Sequence, residues 1–547
     1  MWKLLAVGLS VLQTAQAIPQ HPGFFHHQDR LNAEFGVDDS SNRLLSTAAS
    51  VVFPETVTLP VDHFGKHTKT FENRYWVLEE FYKPGSPVFI YDAGEGDAEP
   101  GVQNRLVANG SFFRQIVSEF SGLGIVWEHR YYGKSTPYNI TLETPAEQMQ
   151  WLDTAQALAD VPAFASNFSR PNFPHSDLTP ASTPWIFVGG SYPGMRAAFV
   201  REKYPETIFA SFASSAPVQA QVDMSIYFEQ VYRGLNGLGF SNCTADIHAA
   251  IDYIDDQLAN PATAAAIKKH FLGKGADKNS NEGLADVLTY IFYSWQSYEV
   301  EGTPGPLREF CDWIATDPAT GKLSSAEGWA KKKGGKWAAD RWAQWPKFAE
   351  VVNYYTPTNC EGFYGNSSTG TTECRLDDAF PDPAAISWTW QYCSEWGFFQ
   401  SANLGPTSIV SKYNSLKHQQ DICYRQFPNG LSSGLLPKTP RVDKVNGVYG
   451  GWNIRPSNVY FSGGEFDPWR TLSTLSSEAF APKGISLTQE IPECNKPTPK
   501  NKIFGYLLKG AAHCFDFRTT WPDGDNSRQI FKDALKKWLK CFKPKKY

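Results

Sequence analysis

The sequence predicts an α/β fold built on a largely parallel sheet, with a large helical region inserted into it. Short apolar runs alternate with helical stretches from residue 51 to about 217, which is typical of β-α units. Between residues 218 and 425, helical periodicity, tryptophans and six of the nine cysteines dominate. Strand-like runs return in residues 426–547. We therefore expect the last part of the chain to complete a sheet that the first part begins.

The composition is that of a soluble globular protein with enough apolar material for a large core. Of the 547 residues, 41 % are hydrophobic and 20 % are charged, which excludes disordered, collagen-like and coiled-coil classes. A net charge of −5 gives no indication of a nucleic-acid partner. Aromatic residues make up 14 % of the chain, so we expect aromatic-lined pockets or surfaces.

The first 17 residues have the three parts of a secretory signal peptide. Lys3 is the positive region, Leu4 to Leu12 form the apolar region, and Ala15 to Ala17 are an A-x-A cleavage signal. A membrane-spanning helix needs about 20 apolar residues, and no stretch of the sequence is that long, so we expect no membrane association. Residues 18–50 are polar and without periodicity, and we interpret them as a propeptide or a loose N-terminal arm.

Two further patterns agree with export. Five N-x-S/T sequons predict N-glycosylation, at Asn109, Asn139, Asn167, Asn242 and Asn366. In an oxidising compartment most of the nine cysteines should pair, and the odd number leaves one over. All of them follow residue 242, so disulfides are expected to hold the middle and the end of the chain. There is no CxxC motif, and we expect no zinc site.

The individual elements follow from local patterns. Six buried strands are predicted, at Pro87 to Tyr91, Gly124 to Trp127, Trp185 to Val188, Phe209 to Phe212, Asn458 to Phe461 and Ile503 to Leu508. Helical periodicity is clear in Ala249 to Leu258 and in Leu284 to Tyr298. The lysine-rich stretch from Gln529 to Phe542 predicts an amphipathic surface helix that packs on the sheet rather than on a membrane.

The segment around Ser191 is the first candidate for chemistry. A predicted strand, the residues G-G-S-Y-P-G at 189–194 and a helical stretch follow one another, which is the context of a nucleophile elbow. Small residues are needed there because the helix crosses close to the strained serine. Pro193 would occupy the first helical turn, where a missing N–H costs little. Taken alone, a glycine-flanked serine is more often a structural turn.

Asp467 and His513 each follow a later predicted strand. Asp467 lies in the sequence G-E-F-D-P-W, where it would orient a histidine through the Nδ1–H group. An Asp-Pro turn is the structural alternative, and Glu465 is a rival carboxylate two residues earlier. His513 follows the strand Ile503 to Leu508 and would act as the general base. As one of 11 histidines, it could also be an ordinary surface or capping residue.

The three residues together predict more than each one alone. The order Ser191, Asp467, His513, each after its own strand, is that of the α/β-hydrolase fold. The insertion at 218–425 would then be a helical cap between the nucleophile and the acid/base segments. The oxyanion hole would use the backbone N–H of Tyr192 and a second donor from the loop at Gly94 and Glu95. No metal or nucleotide motif appears, so we expect no cofactor.

These residues lie in motifs that resemble a known family, the serine peptidases that include prolyl carboxypeptidase, dipeptidyl peptidase II and the fungal acid prolyl endopeptidases. E-H-R-Y-Y-G at 128–133 and G-E-F-D-P-W at 464–469 are the most specific matches. Further matches are D-H-F at 62–64, F-E-N-R-Y at 71–75, G-E-G at 94–96, G-G-S-Y-P-G at 189–194, S-S-A-P at 214–217 and A-H-C-F-D at 512–516.

The resemblance implies an α/β-hydrolase domain split by a helical cap, and cleavage next to proline, often at acid pH. It carries over Ser191 as nucleophile, Asp467 as triad acid and His513 as base. His129 and Arg130 match a motif that we interpret as structural. We interpret Glu128 and Arg130 as buried partners near the site, with direct substrate contact as the alternative. An acid-active triad would need a depressed pKa of His513 or tight substrate binding. Pro193 and Met195 depart from the elbow pattern.

The cap matches the family only loosely, around residues 388–393, although it is expected to roof the site and to set the cleavage mode. Aromatic candidates for a proline pocket are Trp388, Trp390, Trp396 and Trp469, each of which could equally serve core packing.

The sequence thus favours a secreted serine peptidase acting on proline-containing peptides or proteins, with carboxypeptidase action preferred. A vacuolar or lysosomal location is the alternative to secretion. A prolyl endopeptidase, a dipeptidyl peptidase, a lipase or esterase and a non-catalytic binding glycoprotein remain alternatives for function. The sequence does not indicate the oligomeric state.

Overall fold

The computed structural model describes residues 52–298, 306–365 and 373–545. The predicted signal peptide, the predicted propeptide and the sequon at Asn366 lie outside these ranges. Eleven strands are present in the described part of the chain: β1 Glu55–Pro60, β2 Thr70–Leu78, β3 Val88–Asp92, β4 Leu123–Trp127, β5 Trp185–Gly190, β6 Ile208–Ser214, β7 Gln221–Asp223, β8 Gly397–Phe399, β9 Val459–Gly464, β10 Ser486–Thr488 and β11 Lys502–Leu508.

Nine of these strands form one sheet in the order β1-β2-β4-β3-β5-β6-β9-β11-β10. Strand β2 runs antiparallel to both of its neighbours, and all other neighbouring pairs are parallel. This order, with one antiparallel second strand, is the topology of an α/β hydrolase, and it confirms the predicted fold class. Strands β7 and β8 form a separate parallel pair.

The helices connect and cover these strands. They are α1 Glu99–Leu106, α2 Phe112–Glu119, α3 Ala146–Met149, α4 Thr154–Ala165, α5 Tyr192–Lys203, α6 Ile226–Gly237, α7 Ser241–Ala259, α8 Pro261–Leu272, α9 Asn281–Leu288, α10 Tyr290–Tyr293, α11 Trp295–Tyr298, α12 Pro306–Ile314, α13 Ala330–Lys333, α14 Gly335–Ala343, α15 Phe348–Tyr355, α16 Pro383–Gln391, α17 Leu416–Gln426, α18 Val442–Tyr449 and α19 Asp525–Leu539. A π-helical turn, Tyr392–Trp396, continues α16.

The central strands are buried on both faces because parallel sheets of this type carry a core on each side. In β3, Val88 and Ile90 belong to one hydrophobic core, and Phe89 and Tyr91 belong to the other. Helix α19 covers the second core with Phe531, Leu535 and Trp538. The lysine-rich C-terminal segment therefore packs on the sheet, as its amphipathic pattern predicts. Among the described residues, no helix has both the length and the apolar character needed to cross a bilayer.

Helices α6 to α17 lie between β6 and β9 and form the inserted region, here called the cap. Three disulfides lie within it, Cys243–Cys311, Cys360–Cys374 and Cys393–Cys423, and a fourth, Cys494–Cys541, ties the segment before β11 to the chain after α19. Cys514 is the unpaired cysteine. The bridges thus hold the middle and the end of the chain, as the cysteine positions predict.

Candidate active site

Ser191 occupies a strained turn between β5 and α5. Its backbone has φ 67° and ψ −131°, a conformation that non-glycine residues rarely adopt and that marks functional turns. Helix α5 starts at Tyr192 and has Pro193 within its first turn, so the departure of this segment from the G-x-S-x-G spacing leaves the elbow conformation intact. The serine is 6 % exposed and borders a pocket.

Two glycines allow the helix to cross the strand closely. A Cβ atom at Gly189 would lie 2.2 Å from the carbonyl oxygen of Pro193, and one at Gly194 would lie 2.3 Å from the carbonyl oxygen of Ser214. Both distances are far inside van der Waals contact with backbone atoms that cannot move independently. The small residues around Ser191 are therefore required by packing.

Asp467 and His513 form a buried pair. Atom Oδ1 of Asp467 lies 2.8 Å from Nδ1 of His513 and also accepts the backbone N–H of Trp469 at 2.9 Å. Both side chains are almost completely inaccessible to solvent. Asp467 also forms the Asp-Pro turn that was its structural alternative. The oxygen that accepts the Trp469 N–H in this turn is the same one that bonds His513.

Glu465, the rival carboxylate, has a different partner. Its Oε2 atom accepts the backbone N–H of Gly510 at 2.9 Å, and its own N–H donates to the carbonyl oxygen of Leu508. Glu465 thus fastens the start of the histidine loop to the end of β11, and Asp467 is the carboxylate that reaches the imidazole.

The end of β6 binds both the serine turn and the histidine loop. The backbone N–H of Ser191 donates to the carbonyl oxygen of Ser214 at 2.9 Å. The next residue, Ser215, accepts the backbone N–H of Cys514 on its hydroxyl at 2.8 Å. Two consecutive residues of one strand end therefore hold the segments that carry Ser191 and His513 side by side.

The pKa of His513 responds to two opposing effects. Burial disfavours the imidazolium and lowers the pKa, whereas the negative charge of Asp467 and the hydrogen bond to it raise the pKa. The net direction is upward from the ordinary value of 6.5. A depressed histidine pKa, one of the two ways in which a triad could work in acid, is therefore not what this site provides.

Gly94 and Glu95, the two candidates for the second oxyanion donor, lie in the loop after β3. The N–H of Gly94 donates to Oδ1 of Asp92 at 3.0 Å. This corrects the expectation that Gly94 is an oxyanion donor, because its N–H is already engaged by a carboxylate. Glu95 lines the same pocket as Ser191, and Tyr192 is the first helical residue, whose N–H has no acceptor within the helix.

A narrow aromatic pocket begins at Ser191. Its walls are Glu95, Ser191, Tyr192, Pro217, Trp388, Phe398 and Trp469. Of the predicted aromatic residues, Trp388 and Trp469 line this pocket. Trp390 lies elsewhere, with its ring edge-on to Phe427 in the cap. Trp396 is fully buried and stacks on Phe199 and Phe398, so it supports the wall from behind.

Sequence reasoning missed Phe398 and Pro217 as lining residues. Phe398 has a positive φ of 57° on the short strand β8, a conformation that no sequence motif announces. Pro217 follows the S-S-A-P motif, which is the one signal that could have identified it.

The charged residues Glu128 and Arg130 of E-H-R-Y-Y-G each have a buried partner of opposite charge. Glu128 accepts hydrogen bonds from the Arg74 guanidinium, and Arg130 forms a bidentate pair with Asp160 at 2.7 Å. Both pairs are buried in the part of the chain that carries the nine-stranded sheet, here called the hydrolase part, and none of their residues lines the pocket at Ser191. His129 differs, because its Nε2 atom lies 3.0 Å from the hydroxyl of Tyr192.

The sequons differ in exposure. Asn109, Asn139 and Asn167 are exposed, whereas Asn242 is half-buried with its side-chain oxygen accepting the backbone N–H of Cys243. The first three are therefore better placed for a glycan than Asn242.

Comparisons with known proteins agree with this geometry. A sequence model of the family described as Serine carboxypeptidase S28 matches residues 59–486. The chain is 29 % identical to the "Probable extracellular serine carboxypeptidase" of Arthroderma benhamiae, with 90 % of this chain and 69 % of that protein covered. It is 28 % identical to the human "Thymus-specific serine protease", with 87 % and 84 % covered. It is 26 % identical to the human "Lysosomal Pro-X carboxypeptidase", with 88 % and 87 % covered.

The family match covers most of the chain, including the turn of Ser191, the cap and the loop of Asp467. With the α/β-hydrolase sheet and the buried Asp467–His513 pair, it assigns the protein to a class of enzymes: the chain belongs to the serine carboxypeptidase S28 family of serine peptidases.

Proposed function

We propose that this protein is a secreted serine carboxypeptidase that hydrolyses peptide bonds next to proline. The observation that carries the proposal is the aromatic pocket that begins at Ser191.

Ser191 is the proposed nucleophile. Its hydroxyl oxygen attacks the scissile carbonyl carbon while His513 takes the hydroxyl proton, and Asp467 stabilises the resulting imidazolium. The oxyanion is stabilised by the backbone N–H of Tyr192 and by that of Glu95. The C–N bond then breaks, His513 gives its proton to the leaving amine, and an acyl-enzyme remains. Water, activated by His513, hydrolyses the ester and regenerates the serine.

The pocket suits a proline ring. Tyr192, Trp388, Phe398 and Trp469 present flat, rigid apolar surfaces, and Phe398 meets Trp469 edge-on at 5.1 Å. A pyrrolidine ring is itself rigid, so it loses little conformational entropy on entering such a slot. A relative is named for Pro-X carboxypeptidase activity.

Secretion is supported by three features of the chain. Residues 1–17 have the parts of a signal peptide, three sequons lie at exposed asparagines, and four disulfides link eight cysteines. A relative is described as extracellular and another as lysosomal. We propose that the mature enzyme is released by the cell and carries glycans at Asn109, Asn139 and Asn167.

The experiment is mass spectrometry of the products formed from a proline-containing peptide across pH. We expect loss of one C-terminal residue after proline, and no turnover by Ser191→Ala, which removes the attacking oxygen. A panel of fatty-acyl esters is the comparison substrate. Internal scission would show an endopeptidase, removal of an N-terminal dipeptide would show a dipeptidyl peptidase, and preference for the esters would show a lipase or esterase.

A fluorophosphonate probe tests the nucleophile without assuming a substrate. Labelling of the wild-type enzyme, and none of Ser191→Ala with an unchanged circular dichroism spectrum, is the expected result. A folded wild-type protein that no probe labels at any pH would contradict the assignment and favour a binding protein.

A further inference from the structure

A chain of buried polar side chains lies behind Tyr192, the residue that follows Ser191. The Tyr192 hydroxyl lies 3.0 Å from Nε2 of His129 and 2.7 Å from the amide nitrogen Nε2 of Gln391. The amide oxygen of Gln391 in turn accepts the hydroxyl of Tyr132 at 2.5 Å. Each of these four residues is at most 2 % exposed, so water does not compete for their hydrogen bonds.

The donor and the acceptor of each hydrogen bond among these four side chains can be assigned. Nδ1 of His129 lies 2.6 Å from the carbonyl oxygen of Arg130, which can only accept, so Nδ1 carries the hydrogen. Burial, and the nearby positive charge of Arg196, hold the pKa of His129 well below its ordinary value. The ring is therefore neutral, its Nε2 accepts, and the Tyr192 hydroxyl must donate to it.

The amide of Gln391 then has one compatible orientation. The Tyr192 oxygen, whose hydrogen points at His129, accepts from the Gln391 amide N–H, and the amide oxygen accepts from Tyr132. The reverse orientation would set the amide oxygen against a hydroxyl oxygen that has no hydrogen to offer. The side chain at position 391 thus needs both a hydrogen-bond donor and a hydrogen-bond acceptor at its end.

Of these four residues, Gln391 is the one that belongs to the cap. It is the last residue of α16, whose Ser387 hydroxyl donates to the carbonyl oxygen of Tyr131 at 3.0 Å. One turn further on, Glu395 accepts the hydroxyl and the backbone N–H of Thr154. Residues 387, 391 and 395 share one helix face, and that face is seated on the hydrolase part of the chain. The same helix carries Trp388, whose ring packs edge-on against Tyr192 at 5.5 Å.

We propose that Gln391 is a positioning residue for turnover, which holds the Tyr192 peptide N–H in the direction of the oxyanion and couples the seating of the cap to catalysis. The inference rests on the proposed function, because it assumes acyl transfer at Ser191. The Tyr192 hydroxyl is hydrogen-bonded by His129 from the hydrolase part and by Gln391 from the cap. Loss of either hydrogen bond would let Tyr192 change its orientation. A misdirected N–H donor would weaken the stabilisation of the transition state and affect substrate binding less.

Gln391→Leu tests this by removing both hydrogen bonds at nearly constant volume. We expect kcat to fall about 10- to 100-fold, with KM within about threefold of the wild type, because a misplaced oxyanion donor affects the transition state. Gln426→Leu is the matched control: Gln426 is also a buried cap glutamine, and its amide bonds the backbone N–H and carbonyl of Phe380 within the cap. Its loss should lower thermal stability and leave kcat unchanged.

Gln391→Glu gives a readout that a merely structural role would not move. A protonated carboxyl group can donate to Tyr192 and accept from Tyr132, as the amide does, whereas a carboxylate can only accept. Activity relative to the wild type should therefore be near normal at low pH. It should fall to the level of Gln391→Leu as pH rises through the pKa of the introduced carboxyl. Gln426→Glu supplies the control profile.

Two results would overturn the inference. One is a kcat of Gln391→Leu within twofold of the wild type. The other is a ratio of Gln391→Glu to wild-type activity that does not change with pH. Fluorophosphonate labelling separates this failure from that of the proposed function. If Ser191 labels at the same rate in the wild type and in Gln391→Leu, only the positioning role fails. If the wild type does not label, both proposals fail.

Discussion

Oδ1 of Asp467 lies 2.8 Å from Nδ1 of His513, although 46 positions separate the two residues in the sequence. They meet because β9 and β11 are parallel neighbours, so the loops that follow these strands leave the same edge of the sheet. Ser191 follows β5 at that edge. Parallel strand order thus brings the three segments that carry these residues to the same edge of the sheet.

We predict that Asp467→Asn reduces kcat by about 10⁴-fold, because an amide no longer holds the imidazole in the tautomer that accepts the serine proton. Glu465→Gln is the control from the same loop. Its side chain binds the backbone of Gly510, so the substitution should change kcat less than about threefold. Steady-state kinetics on the proline peptide measures both. Equal losses in the two variants would mean that the loop fold matters and the Asp467 charge does not.

The residual activity of Asp467→Asn should have a shifted pH profile. Asp467 raises the pKa of His513, and burial alone lowers it, so removing the carboxylate moves the pKa downward. Since only the neutral imidazole accepts a proton, the acid limb of kcat/KM should move to lower pH in the variant. A limb that stays in place would show that another group controls the acid side of the profile.

The parts of the fold and site that the sequence predicted share a physical origin. The six predicted strands are all present with ends within three residues, because a run buried on both faces is apolar throughout. The triad candidates could be found because each follows such a strand. Strands β1, β2, β7, β8 and β10 were not predicted. Strands β7, β8 and β10 have only three residues each, β1 has one fully buried position, and β2 begins with alternating exposed and buried positions.

The specificity residues were predictable only in part. Trp388 and Trp390 are two positions apart in one helix, so they point in different directions, and the aromatic pattern alone does not say which one faces the pocket. The helix α16 settles this by seating Ser387 and Gln391 on the hydrolase part. That docking depends on contacts between residues about 200 or more positions apart, which a single sequence does not reveal.

This difference between the two tryptophans gives a prediction. Trp388→Ala should lower kcat/KM for a proline peptide at least tenfold more than for the same peptide with alanine, because the flat wall that contacts the ring is lost. Trp390→Ala removes an equally large buried ring outside the pocket and should destabilise the cap without changing the proline preference. The ratio of the two kcat/KM values is the measurement. The same change of ratio in both variants would place the proline site elsewhere.

The close crossing of α5 over β5 at the serine turn predicts an effect on stability. Gly194→Ala would place a methyl group 2.3 Å from the carbonyl oxygen of Ser214, so the free energy of unfolding should fall by about 1–3 kcal/mol or more. Gly447→Ala is the control, since that glycine lies in α18 with open space around its Cβ position. It should leave stability unchanged or raise it by up to about 1 kcal/mol. Urea unfolding followed by tryptophan fluorescence distinguishes the two outcomes.

Glu395, at the junction between the cap and the hydrolase part, should contribute more to stability in mild acid than at neutral pH. Burial and the neighbouring carboxylate of Asp153 raise the pKa of Glu395 to about 7, against 4.5 for an ordinary glutamate, and Arg441 offsets this in part. Between these pH values the folded protein holds a proton that the unfolded chain has released. The contribution of Glu395 to the free energy of unfolding should therefore rise as pH falls from about 7 to 4.5, by at most about 1.4 kcal/mol per pH unit.

Glu395→Gln removes this titration and should flatten the dependence, while keeping an oxygen that can accept from Thr154. Glu350→Gln, at an exposed position on α15, should leave the slope of the wild type unchanged. Urea unfolding at pH 5, 6 and 7 measures the slopes of all three proteins. A Glu395→Gln slope equal to that of the wild type would show that other buried carboxyls, such as Asp246 and Asp516, carry the acid stabilisation, because burial raises the pKa of both.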